Sequence, residues 1–170
     1  TDDEGGEKGR MESQTVTGIA YSRDEAQLTL TRVPDRPGVA AAIFAPLAEA
    51  QINVDMIVQT ASRDGTDTDL TFTTPKADLS RVVALLEAAK ATLGYDRLLV
   101  EKDVAKVSVV GVGMRSHPNV AATTFRVLAE KGINIRVIST SEIKVSVLIE
   151  SAYVELAVRS LHTAHGLDAA

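Results

Sequence analysis

One stretch of this chain occurs twice. Residues 37–57 laid over 118–138 align without a gap, each residue 81 positions from its counterpart. Pro37 meets Pro118, Val39-Ala40-Ala41 meets Val120-Ala121-Ala122, Phe44 meets Phe125, Leu47-Ala48-Glu49 meets Leu128-Ala129-Glu130, and Ile52-Asn53 meets Ile133-Asn134. A repeat unit of this length signals two copies of one small domain rather than a solenoid. The 170 residues, 45% of them hydrophobic, suffice to give each copy its own core.

Within each copy the apolar period changes from two to about 3.6 and back, the mark of strands alternating with helices. In the first copy residues 27–33 (QLTLTRV) read as a strand and Pro37 opens a helix to about Ala50. Strands over 52–60 and 67–74 flank a turn at Arg63-Asp64-Gly65, a helix covers 78–93, and a last strand lies near 97–102. The second copy repeats the order as strand 105–112, helix 118–131, strands 133–139 and 143–149, and helix 152–165. This is the βαββαβ pattern of ferredoxin-like α+β domains. Two details disturb it. Pro46 lies inside the first helix, where a missing N–H predicts a kink or an early stop. The second copy also lacks its sixth element, while Val16–Tyr21 is a surplus β-prone run; that N-terminal strand would either insert into the second sheet and cover an open edge, or pair across a dimer. The expected organisation is a disordered tail over 1–14, a first domain over 27–103, and a second domain built from 15–22 plus 104–167. Met11 suits either a translation start or an internal position.

Composition narrows the function classes. Lys and Arg number 18 against 23 Asp and Glu, and the net charge of −5 provides no field to attract nucleic acid or an anionic membrane. Aromatic residues are only 4%, too few for base-stacking platforms. Without any cysteine there is no disulfide, thiolate nucleophile or Cys-ligated zinc. No apolar run reaches the roughly 18 residues of a membrane span and no signal peptide opens the chain, so the cytoplasm is the expected compartment. No cofactor is expected.

The turn Val33-Pro34-Asp35-Arg36-Pro37-Gly38 carries the most chemistry. Free backbone N–H groups and the dipole at a helix start attract a carboxylate, Gly38 permits close approach, and Asp35 can accept bonds from an ammonium group. A zwitterionic amino acid presents both charges; the plainer alternative makes Asp35 an ordinary helix cap. In the second copy Ser116 replaces Asp35 and Asn119 replaces Gly38, so the two turns should differ in chemistry. A lone His117, and His162 with His165 three apart, form neither a catalytic set nor a metal site. Gly111-Val112-Gly113 lacks the third glycine of a dinucleotide fingerprint. Nothing nominates a catalytic residue.

These residues resemble the ACT domains at the C-terminus of aspartate kinases. The Asp35-Arg36-Pro37-Gly38 turn and the run Ile52 to Gln59 look like that family's first repeat, and Gly111 to Pro118 with Ile138 to Ile149 look like its second. The resemblance covers essentially Met11 to Leu167. It implies tandem ACT domains that bind end-product amino acids, threonine and commonly lysine, and so inhibit ATP-dependent phosphorylation of aspartate. It further implies an N-terminal strand lent to the second domain, a homodimer through ACT domains, and a partnership with a kinase catalytic domain or alpha subunit.

Carried over by resemblance, a threonine-type site would include Pro37 and use Asp35 for the amino group, the backbone of Gly38, Val39 and Ala40 for the carboxylate, and Gln59 for side-chain contact. Asn134 and Ile135 would complete it from a facing second repeat. A second, lysine-type pocket would use Asn53, Asp55, Met114, Val120, Ser141 and Glu142. The chain departs from the family pattern at Asn119, Ala121 and Arg136, which bears on that second pocket. Rival readings are a regulatory ACT subunit of another amino-acid biosynthetic enzyme, a free-standing amino-acid sensor, or an independent enzyme on the same scaffold.

Overall fold

A computed structural model describes residues 15–113 and 117–168. The chain divides into two compact units, one of Asp24–Asp103 and one joining the N-terminal segment through Arg23 to Val104–Ala170.

In the Asp24–Asp103 unit the strands β2 (Glu25–Pro34), β3 (Asp55–Ala61), β4 (Asp67–Pro75) and β5 (Leu98–Glu101) form one antiparallel sheet in the order β3-β4-β2-β5. Helices α1 (Val39–Glu49), α2 (Leu79–Ala88) and the short α3 (Lys90–Leu93) complete it. Alternate residues of β2 and β4, among them Leu28, Leu30, Leu70 and Phe72, share a core with Ile43 and Leu47 of α1 and Val82 and Leu86 of α2. Phe44 meets Phe72 edge to face at 5.2 Å.

In the other unit β1 (Val16–Ser22), β6 (Val104–Gly111), β7 (Val137–Thr140) and β8 (Lys144–Glu150) order as β1-β6-β8-β7. Helices α4 (Pro118–Glu130) and α5 (Val154–Ala164) supply Val127, Leu128, Ala157 and Leu161 to its core. The surplus N-terminal strand lies where the count placed it. β1 runs antiparallel to β6, with Ile19 opposite Val109 and Tyr21 opposite Val107, and so takes the sheet position that β5 holds in its own unit.

Several boundaries differ from the sequence expectation. The first helix starts at Val39 rather than Pro37, because Gly38 caps it in a left-handed conformation with φ 88°. Pro46 does not end that helix, which runs on to Glu49; the carbonyl deprived of its donor belongs to Ala42, on the exposed side. The helix expected over 78–93 begins with a 3-10 turn at Lys76–Asp78 and divides at Ala89. The strands expected from 52 and 133 begin at Asp55 and Val137. Both helix ends are Schellman motifs that claim the preceding residues. Ile52 N–H bonds Leu47 O at 2.9 Å and Gln51 N–H bonds Ala48 O at 2.9 Å; Ile133 to Leu128 and Gly132 to Ala129 repeat the pattern at 2.9 and 3.0 Å. The left-handed residue is Gln51 in one motif, φ 58°, and Gly132 in the other, φ 71°.

Candidate effector-binding turn

The turn between β2 and α1 leaves polar groups of opposite sign uncommitted. Asp35, Arg36, Pro37 and Gly38 are all exposed, and the turn is anchored by Asp35 N–H on Thr66 O at 3.2 Å and Val39 N–H on Arg36 O at 3.3 Å. The first helical bond, Ala42 N–H to Gly38 O, is 3.0 Å long. No side chain caps α1, so Asp35 is not the helix cap of the plainer reading. Among the described residues the N–H groups of Ala40 and Ala41 have no acceptor. Unsatisfied donors at the positive end of a helix, a few residues from an exposed carboxylate, suit a ligand carrying both charges. The Val39 side chain is buried in the core and its N–H is already taken by Arg36 O.

Gln59 lies on the edge strand β3, opposite Leu70, which in turn pairs with Leu30. Register therefore places Gln59 on the helix-covered face, at the sheet end from which the Asp35 turn departs. One strand intervenes between β3 and β2, so the two are separated by about 10 Å of sheet. The other residues carried over by resemblance are distributed differently. Asn134 and Ile135 belong to the second unit, in the connection before β7, Asn134 exposed and Ile135 packed against that unit's core.

Of the second set, Asn53 is exposed ahead of β3, and Asp55 accepts the Met56 N–H at 2.9 Å in a bulge where Met56 has φ 48°. Val120 is a core residue whose N–H is taken by His117 O at 3.1 Å. Ser141 shapes the β7–β8 hairpin, its hydroxyl accepting Lys144 N–H at 3.3 Å, and Glu142 is exposed at that turn. Met114, like Ser116, lies outside the described residues.

The two copies of the turn are built differently. In the second, Pro118 occupies the first helical turn behind His117 as N-cap, with φ −125°, and Asn119 is helical rather than left-handed. The unusual backbone angles for which an Asn would be suited are not used. Two of the histidines make side-chain bonds. Thr124 donates its hydroxyl proton to Val120 O at 2.8 Å, so His165 Nε2, 3.1 Å away, must be the donor to Thr124, which fixes the ring tautomer. Burial holds the His165 pKa below its usual value. His162 bonds Asp168, and among the described residues no group of three or more potential ligands gathers. Among them also, no helix is long and apolar enough to cross a membrane.

Sequence reasoning passed over a second polar concavity in the Asp24–Asp103 unit, lined by Arg32, Asp67, Asp96 and Arg97 among others. Its one signal was the broken alternation of β2, where Leu28 and Leu30 are followed by Val33 instead of residue 32. The break is a β-bulge with Arg32 at φ 50°.

Comparison with known proteins agrees with this architecture. Residues 28–94 and 107–165 each match a family model described as the ACT domain, which defines the chain as a tandem ACT module. It is 52% identical over 163 residues to the aspartate kinase of Stutzerimonas stutzeri, and equally to the aspartokinase of Pseudomonas aeruginosa. The match spans 96% of this chain and 39% of those proteins. A crystal structure of aspartokinase alpha and beta subunits superposes with TM-score 0.81 at 50% identity, over 88% of this chain and 97% of that one. The ligand-free regulatory subunit of aspartate kinase from Thermus thermophilus gives TM-score 0.82 at 42% identity, over 88% and 98%. The chain belongs to the aspartate kinase regulatory ACT family.

Proposed function

We propose that this chain is an amino-acid-sensing module that binds threonine at the β2–α1 turn and imposes feedback inhibition on the phosphorylation of aspartate. The observation that carries the reading is the uncapped start of α1 beside an exposed Asp35, with Gly38 left-handed between them. The ligand's carboxylate would take the free N–H groups of Ala40 and Ala41, and its ammonium would face Asp35. Gln59 would contact the side chain, while Asn134 and Ile135 of a second copy would close the site in a homodimer. Lysine is the ligand suited to the second set, where the exposed Glu142 could receive an ε-ammonium.

The chain spans about two fifths of its curated relatives, so kinase activity enters only through an associated catalytic domain or alpha subunit. The crystallised alpha and beta subunits of a related aspartokinase supply the precedent for such an assembly. Coupling of about 1–3 kcal/mol between effector site and kinase would shift the kinase's apparent affinity or population 5- to 150-fold. A site shared between copies would also make binding and dimerisation reinforce each other.

Isothermal titration calorimetry against threonine and lysine, separately and together, tests the assignment. Saturable threonine binding that weakens about tenfold or more in Asp35→Ala is the expected result. Binding of neither amino acid would remove the effector reading.

A further inference from the structure

We propose that the Asp24–Asp103 unit carries a second small-molecule site, a cavity of about 380 Å³ at the sheet end bounded by the β2 bulge, the β3–β4 turn and the segment entering β5, which takes a zwitterionic α-amino acid. It is separate from the β2–α1 turn, shares no residue with it, and stands whether or not threonine binds there.

The walls are fixed by bonds that leave the charged ends of Arg32, Arg97, Asp67 and Asp96 free. Thr31 N–H bonds Arg97 O at 2.9 Å, Asp96 N–H bonds Thr31 O at 2.9 Å, and Arg97 N–H bonds the Thr31 hydroxyl at 3.0 Å. Opposite them, the Ser62 hydroxyl donates to Asp64 at 2.7 Å while Ser62 N–H bonds Asp67 O at 2.9 Å. The hydroxyls of Ser62 and Thr66 hold the Asp64 carboxyl down to about 2. The bulge sets Arg32 in a left-handed conformation, its N–H on Asp69 Oδ1 at 2.9 Å. None of these bonds uses the guanidinium of Arg32 or Arg97, or the carboxylate of Asp67 or Asp96. Among the described residues neither arginine pairs with any carboxylate, although three line the same cavity.

Charges that share a cavity yet stay apart are matched by a ligand bearing both signs. The arginines offer forked donors to a carboxylate and the aspartates accept from an ammonium, with Thr60 and Ser62 lining the space for a polar side chain. Three carboxylates against two guanidinium groups disfavour a phosphate or nucleotide, and the guanidinium groups disfavour a bare cation.

The test is amide chemical-shift mapping of the full chain titrated with each standard L-amino acid, then with the N-acetyl and α-amide forms of any that binds. Support would be shifts centred on residues 31–32, 60–62, 67–69 and 96–97, abolished by blocking either charge. Arg97→Gln and Asp96→Asn, both at exposed positions, should each weaken binding about tenfold or more, and Asp35→Ala should leave it unchanged. The proposal is overturned if no amino acid moves these amides, if blocked forms bind equally well, or if neither variant changes affinity.

Discussion

At the scale of single residues, backbone geometry decides more here than side-chain identity. Gly38 has open space around the position of a Cβ, so an alanine there would meet no atom, yet φ 88° is strained for any L side chain. Gly38→Ala should therefore lower the stability of its unit by about 1 kcal/mol, read as a fall in denaturation midpoint, and weaken threonine binding by shifting the turn. His165 makes a different prediction. Its folded pKa lies below that of the unfolded chain, so the unfolded state takes up more protons on acidification. Its stability contribution is full above the ordinary histidine pKa near 6.5 and is lost as pH falls below it. Thermal midpoints should drop through that window, and His165→Gln, which retains a donor for Thr124, should flatten the decline.

Among elements, the duplicated helices show what a sequence can and cannot reveal. The repeat, the βαββαβ order and the destination of β1 were legible because each depends on hydrophobic periodicity or on counting strands. The strand starts were not. Ile52 and Ile133 look like first strand residues, but each is the apolar residue closing a Schellman motif, buried to 4% exposure in a loop. An isoleucine buried by a helix cap and one buried by a sheet look alike in sequence. The same limit governs the site: Asp35 and Gly38 were recognisable as turn chemistry, whereas the Arg32 bulge depends on register and shows only as a skipped alternation. The two caps also yield an internal comparison. Gln51 occupies a left-handed position that Gly132 fills without strain, so Gln51→Gly should stabilise the Asp24–Asp103 unit by about 0.5–1 kcal/mol in chemical denaturation.

Over the whole molecule, two similar domains are joined by unequal means. The Asp24–Asp103 unit is continuous, with all four of its strands drawn from one stretch. The other depends on β1, which buries Val16 to 3% exposure and pairs with β6 from Val16 to Ser22. A chain starting at Arg23 should lose about 3 kcal/mol or more from that unit alone, from lost apolar burial and ladder bonds. Hydrogen exchange would locate the effect, with protection falling across Val104–Glu150 and persisting across Asp24–Asp103.

The same arrangement sets an order of events on the ribosome. β1 is synthesised before the Asp24–Asp103 unit, and its partner β6 emerges only after that whole intervening unit. At roughly 5–20 residues per second that interval lasts several seconds, long enough for the inner unit to fold first. Through that time Val16 and Ile19 sit on a nascent strand with no edge to join, so the newborn chain is most vulnerable to mispairing with its neighbours on the same polysome during the synthesis of a domain to which that strand does not belong.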